Sequence, residues 1–282
     1  MIRPKLLTAA SGGGDIYIGE QEFLTQGTYA WDVPLSVRYL HACAIGAGGP
    51  YGTNTIDGGG GGGLAWANQI QVTPGETLII QVGRIASDDA RHSGIFRLAD
   101  PEDIESAKTW LIKGEGARNQ NGGGFSFGPD VGSSGGGQGG SGSLGQNVIA
   151  NGQFVATYYG SGGGAGGYMG NGGSGSGGAP EANSGGASAG TQYAQSSGIT
   201  QGVREGGAGG GVGVRGRGET ASEVIYNDGD APRIGNPGSG GDGVNYGGGD
   251  SYPGGKGGDG AVRIIWGIKY SYPDNADVEA EE

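Results

Sequence analysis

The chain has 282 residues, 73 of them glycine, one cysteine and a formal net charge of −12. Glycine at about a quarter of the residues, against about 7% in an average protein, leaves little side-chain volume for a conventional core over much of the length. The acidic balance argues against nucleic-acid binding, which uses clustered Lys and Arg to neutralise phosphates, and the lone Cys43 forbids an intrachain disulfide.

Residues 1–14 begin with Arg3 and Lys5 and a short apolar patch at Leu6, Leu7, Ala9 and Ala10. The patch is far shorter than a membrane span or the hydrophobic region of a signal peptide, so the reading here is an attachment segment with no export signal. Residues 15–113 have the composition of an ordinary β domain. Ile16-Tyr17-Ile18, Glu22-Phe23-Leu24, Thr28 to Trp31 and Val37 to Ile45 read as strands. Leu64 to Ala67, Gln69 to Val72 and Leu78 to Val82, with the turn Thr73-Pro74-Gly75-Glu76, predict a hairpin. Ile95 to Leu98 and Trp110 to Ile112 follow, and Pro101 to Lys108 predicts one helical turn with Asp100 as its cap.

From about residue 114 to 260, glycine clusters recur between short spacers, as in Gly162-Gly163-Gly164-Ala165-Gly166-Gly167 and Gly206-Gly207-Ala208-Gly209-Gly210-Gly211. Strict thirds are absent, which excludes collagen. A Gly/Ser linker fits poorly, because Tyr, Val and Ile punctuate the clusters and the strand Ala261 to Trp266 closes the stretch. The remaining reading is packed polyglycine II, the polyproline II backbone built from glycine, in which neighbours satisfy each other's N–H and C=O groups. Such a layer is not self-sufficient: ordering a residue costs about 1–2 kcal/mol, while a hydrogen bond returns about 1. It needs a β frame, here residues 15–113 and 261–266. The predicted fold class is therefore all-β, a small β-sandwich or jelly-roll-like frame with an inserted polyglycine II layer. Residues 15–267 form one domain, and 268–282 an acidic tail.

Tyr29 to Pro34, Ala44 to Gly49, Gly58 to Trp66, Val72-Thr73-Pro74-Gly75-Glu76 and Gly257 to Trp266 carry a family resemblance. Over roughly residues 27–267 the chain resembles the glycine-rich domain of bacteriophage tail and other virion proteins. It is similar in plan to the glycine-sandwich adhesins at phage fibre tips. The resemblance implies location in the virion and, for the adhesins, noncovalent contact with a bacterial surface glycan or outer-membrane protein through loops between glycine rods. It transfers no receptor residue. The implied neighbours are other virion proteins or further copies of the chain, with no membrane insertion and no cofactor.

The spacers supply the candidate contact residues: Phe154, Tyr158, Tyr159, Tyr168, Tyr193, Tyr226, Tyr246 and Tyr252. Tyrosine among Ser, Gly and Asn gives large amphipathic contact at low entropic cost. The alternative is that these rings cap the rods. Other motifs are weak. Gly211 to Gly216 fits a dinucleotide fingerprint without its flanking strand and helix, and Arg215-Gly216-Arg217-Gly218 is one short Arg-Gly copy. Gly254 to Asp259 is a single calcium-repeat start with a lysine inside, and Asp57, Asp242 and Asp250 read as turn residues. Asp88, Asp89, His92 and Ser93 lack a nucleophile elbow, while His41 and Cys43 read as core residues. No enzyme and no metal site is expected. The functional reading is a tail-tip or fibre adhesin, with a non-receptor structural virion component as the alternative; a polysaccharide hydrolase lacks a recognisable carboxylate pair.

Overall fold

In the computed structural model, the structure describes residues 5–6, 18–50, 57–85, 88–99, 107–158, 160–175, 192–194, 202–206, 211–215, 258–267 and 270–273. These contain β1 (Lys5–Leu6), β2 (Gly19–Phe23), β3 (Gly27–Asp32), β4 (Tyr39–Ile45), β5 (Leu64–Gln71), β6 (Thr77–Val82), β7 (Ser93–Leu98) and β8 (Lys108–Gly114). They continue with β9 (Phe125–Phe127), β10 (Ser134–Gly137), β11 (Gln146–Ala150), β12 (Gln153–Tyr158), β13 (Gln192–Ala194), β14 (Gly202–Gly206) and β15 (Ala261–Trp266). A single 3-10 turn spans Asp89–Arg91, capped by the Asp88 carboxylate on the Ala90 N–H.

Two antiparallel sheets form a β-sandwich, one in the order β1-β2-β15-β4-β5-β10 and the other β3-β6-β7-β8-β9. The period-two pattern of the strands sends Leu40, Ala42, Ala44, Val262, Ile264 and Trp266 from one sheet against Leu78, Ile80, Ile95 and Ile112 from the other. Each fully buried aliphatic here contributes roughly 1.5–3 kcal/mol. The expected closing strand is β15, set between β2 and β4 and buried along its whole length. Its other face, with Ala261 and Ile265, joins Cys43, Ile45 and Leu64 under a third layer made of Ala165, Tyr168, Val212, Val214, Tyr270 and Tyr272.

Several local expectations change. Leu64 to Gln71 is one strand carrying an irregularity at Gln69, whose φ is 53°. The turn at 73–76 does not close a hairpin: β5 and β6 belong to different sheets. It instead docks on 33–38, through Gly75 N–H to Val33 O, Val33 N–H to Glu76 O and Val72 N–H to Arg38 O. Strand β2 runs Gly19–Phe23, with the predicted Ile16 and Tyr17 outside the described residues; of the helical turn predicted over 101–108, residues 101–106 also lie outside them and Lys108 instead begins β8. Strands β9 to β14 lie within the stretch read as glycine layer, and β11-β12-β14-β13 forms a third, four-stranded sheet.

Candidate functional site

The glycine stretches continue the frame strands. β4 runs on into 46–49 and β8 into 115–118, while 58–63 feeds β5 and 121–124 feeds β9; β10 runs on into 138–145. Residues 160–167 and 170–175 lie alongside. The layer thus takes in 46–49 and 58–63, which lie outside the 114–260 span read from composition.

Segment 58–63 is buried throughout and shows how the layer is held. Gly58 and Gly61 donate to Ser143 O and Gly140 O at 2.9 and 2.8 Å, and Gly60 and Gly63 to Asn119 O and Glu115 O at 2.7 and 2.9 Å. Gly163 and Gly166 donate to Gly59 O and Gly62 O, and Gly46 and Gly49 to Gly63 O and Gly60 O. The same neighbour returns every third residue. A Cβ at Gly58 or Gly61 would meet 161–164, at Gly59 or Gly62 it would meet 46–49, and at Gly60 or Gly63 it would meet 121–124, each closer than 3.0 Å to backbone. None of these six glycines has a positive φ. Close approach, not turn conformation, requires glycine here.

Side chains finish the bonding where the backbone cannot. The Asp57 carboxylate accepts from Gly145 N–H at 2.8 Å, Ser143 Oγ from Ser161 N–H at 2.7 Å, and Ser93 Oγ from Gly83 N–H at 2.9 Å. His92 Nδ1 accepts from Gly116 N–H at 3.1 Å, with Asp89 Oδ1 3.6 Å from Nε2. Burial, followed by the Lys113 and Arg91 charges, lowers the His92 pKa to about 4, so the ring is neutral at pH 7 and accepts this bond. His92 therefore ties the 88–93 turn to the layer and Ser93 joins the start of β7 to the residue after β6, rather than the two facing one another as base and nucleophile. His41 is half-buried and donates from Nδ1 to Asn68 Oδ1, and burial also lowers its pKa.

Of the aromatic candidates, Tyr168 has its full side chain described, and it is 2% exposed. Its hydroxyl donates to Gly213 O at 2.8 Å and lies 3.3 Å from Cys43 Sγ; its carbonyl accepts from Trp66 Nε1, and its ring stacks on Tyr272 at 6.0 Å. It holds 211–215 to the sandwich and offers no outer surface, so it packs within the layer and does not make the outer contact expected of a spacer tyrosine. Segment 211–215 accordingly packs as buried layer, not as a dinucleotide loop. Arg215, the start of the Arg-Gly copy, pairs with Glu22 at 2.9 Å and Glu20 at 3.8 Å. With Arg263, 1% exposed and paired to the same two carboxylates, it forms a balanced buried cluster.

Phe154, Tyr158 and Tyr193 lie in the four-stranded sheet. Its backbone register pairs Phe154 with Ile149, Tyr158 with Gln146 and Arg204, and Tyr193 with Glu205. Two spacers far apart in sequence thus meet in one sheet, through the parallel pairing of β12 with β14. On the edge strand β11, Gln146, Asn147 and Ile149 are exposed, Ile149 by 66%, with Leu144 just before it at 70%. The residue pattern does not mark these exposed apolar positions as contacts, although the pair Asn151-Gly152 between apolar runs signals the β11–β12 hairpin, and both residues have positive φ. Tyr159, Tyr226, Tyr246 and Tyr252 lie outside the described residues, as do Asp242, Asp250 and residues 254–257. Asp259 accepts from Ile85 N–H at 3.2 Å. No cluster of metal-ligating side chains occurs among the described residues, and no helix among them is long and apolar enough to cross a membrane.

Comparison with curated proteins gave no match. The profile described as "Glycine-rich domain" matches residues 24–267, from the end of β2 to the glycine after β15. The chain belongs to the glycine-rich domain family.

Proposed function

We propose that this protein is a bacteriophage virion component, a tail-fibre or tail-tip adhesin that binds a host surface molecule noncovalently. The observation that carries the reading is the four-stranded sheet. It collects two aromatic spacers and follows directly on segment 138–145, which runs from the frame strand β10 toward β11. A small sheet of exposed and aromatic positions at the far end of a tightly bonded stem suits contact with a large surface. The stem itself is read as polyglycine II: recurrence of the same neighbour at every third residue matches three residues per turn, and six residues would span roughly 19 Å at 3.1 Å rise.

The partners in this reading are virion subunits at one end and a bacterial glycan or outer-membrane protein at the other. Adsorption tests it. Tyr158→Ala with Tyr159→Ala, or Tyr193→Ala, should reduce binding of purified protein to host cells while leaving melting unchanged. Parental binding by all of these variants would refute it. The second reading, a structural virion component, is favoured by Tyr168, whose ring is spent on internal packing. Immunogold labelling away from the tail tip and fibres would select that reading.

A further inference from the structure

The glycine layer has an outer boundary, and the bonding changes character there. Along 138–145, Gly139 and Gly142 face 58–63, while Gly137 and Gly140 face 170–173. The third positions, Gln138, Ser141 and Leu144, are exposed. Inside the layer, backbone N–H groups of this segment donate to carbonyls: Gly139 to Gly123 O at 2.9 Å and Gly140 to Gly164 O at 2.8 Å. At Gln138 and Ser141 the acceptor is a side chain. Gln138 N–H donates to Asn171 Oδ1 and Ser141 N–H to Ser174 Oγ, both at 2.9 Å. The residue after each of these returns a bond, from Gly172 N–H to Gln138 O and from Gly175 N–H to Ser141 O, at 2.9 and 3.0 Å. Two identical rungs therefore stand three residues apart, each closing both the N–H and the C=O of one exposed residue.

We propose that Asn171 and Ser174 are stops that end the layer, by occupying the two donors on which a further glycine segment from a second copy of this chain would otherwise add. A glycine-rich edge with open donors is an accepting surface for another such segment, as an open sheet edge is for a strand. Nothing about chain conformation at 171 or 174 calls for Asn or Ser: their Cα positions carry no positive φ, and their neighbours 170, 172, 173 and 175 are glycine. What the two side chains add is an oxygen at the height of each exposed donor. The inference stands on these bonds and does not depend on the adhesin reading.

The first test uses the unaltered protein: the Gln138 and Ser141 amides should exchange slowly although both residues are exposed. Rapid exchange at both would overturn the proposal. The second compares Asn171→Gly with Ser174→Gly against Asn171→Asp with Ser174→Thr, which keeps both oxygens. In dilute solution the glycine pair should exchange at 138 and 141 about tenfold faster, with Gly139 and Gly140 still protected. On concentration it should associate beyond the parental state in sedimentation and regain the lost protection. The oxygen-keeping pair should match the parent in both. A glycine pair that holds the parental association state at every concentration, or an oxygen-keeping pair that associates like it, would overturn the assignment.

Discussion

Replacing Gly61 by Ala adds one methyl group to the most enclosed glycine segment. Its Cβ would lie within 3.0 Å of the Gly164 carbonyl, where ordinary contact begins at 3.4 Å. Relief requires 160–167 to retreat by about 1 Å, because both sides of the contact are backbone. That movement strains the bonds Gly163 N–H to Gly59 O, Gly166 N–H to Gly62 O and Gly140 N–H to Gly164 O, now 2.8, 2.9 and 2.8 Å. Each buried donor left without its acceptor costs about 1–3 kcal/mol, so losing all three comes to roughly 3–9 kcal/mol. The gain from a stiffer unfolded chain offsets only about 0.4–1 kcal/mol. Against a total stability of about 5–15 kcal/mol this approaches unfolding. Urea denaturation of Gly61→Ala beside Gln138→Ala, which alters an exposed third position of a neighbouring segment, gives the comparison. The second variant should match the parent to within about 0.5 kcal/mol. Equal midpoints for the two would refute close backbone packing in the layer.

Tyr168→Phe should cost about 1–2 kcal/mol by leaving Gly213 O without its donor, with amide protection falling at 211–215 before the sandwich is affected. His92 predicts an acid-side loss. Its pKa falls from 6.5 to about 4 on folding, so its contribution is complete above pH 6.5 and declines by about 2–3 kcal/mol as the pH drops toward 4. The facing charges are Asp89, Arg91, Lys113 and Glu115, and hydrogen bonding from Lys113 holds the Glu115 carboxyl below its ordinary range, so its own loss falls at lower pH. Chemical denaturation of His92→Gln at stepped pH should show a flatter slope between pH 6.5 and 4; an unchanged slope would contradict the assignment. Arg263→Met leaves the partly buried Glu20 and Glu22 with Arg215 alone. It should cost about 3–5 kcal/mol in equilibrium unfolding, whereas loss of an exposed ion pair costs under about 1 kcal/mol.

Much of the sandwich is legible from residue pattern. The nearly continuous apolar runs of β15 and β4 specify strands buried on both sides, and both occupy the centre of their sheet. The 73–76 turn shows the limit: its Pro-Gly chemistry gives a reversal, but sequence spacing does not say whether the next strand pairs with the last one or crosses to the facing sheet. Composition placed the glycine layer at 114–260 and left out 46–49 and 58–63, because those clusters sit among ordinary strands. A finer signal was present. In Gly137-Gln138-Gly139-Gly140-Ser141-Gly142-Ser143-Leu144, the exposed Gln138, Ser141 and Leu144 recur at every third place, and the one other Cβ, on Ser143, carries an Oγ bonded to Ser161. Tyr168 could not be separated from the other spacer tyrosines by pattern, since its burial depends on 211–215 and 270–272, far along the chain. The Asn151-Gly152 turn was readable, whereas the parallel pairing of β12 with β14 depends on long-range register that no local motif encodes.

The central claim is that glycine segments are locked to one another by their backbones. Site-resolved hydrogen exchange at Gly58, Gly60, Gly61, Gly63, Gly140, Gly163 and Gly166 tests it most directly. Protection comparable with that of the β4 and β15 amides is the predicted result. Exchange at those glycines at the rate of an unstructured chain, while β4 and β15 stay protected, would contradict the account.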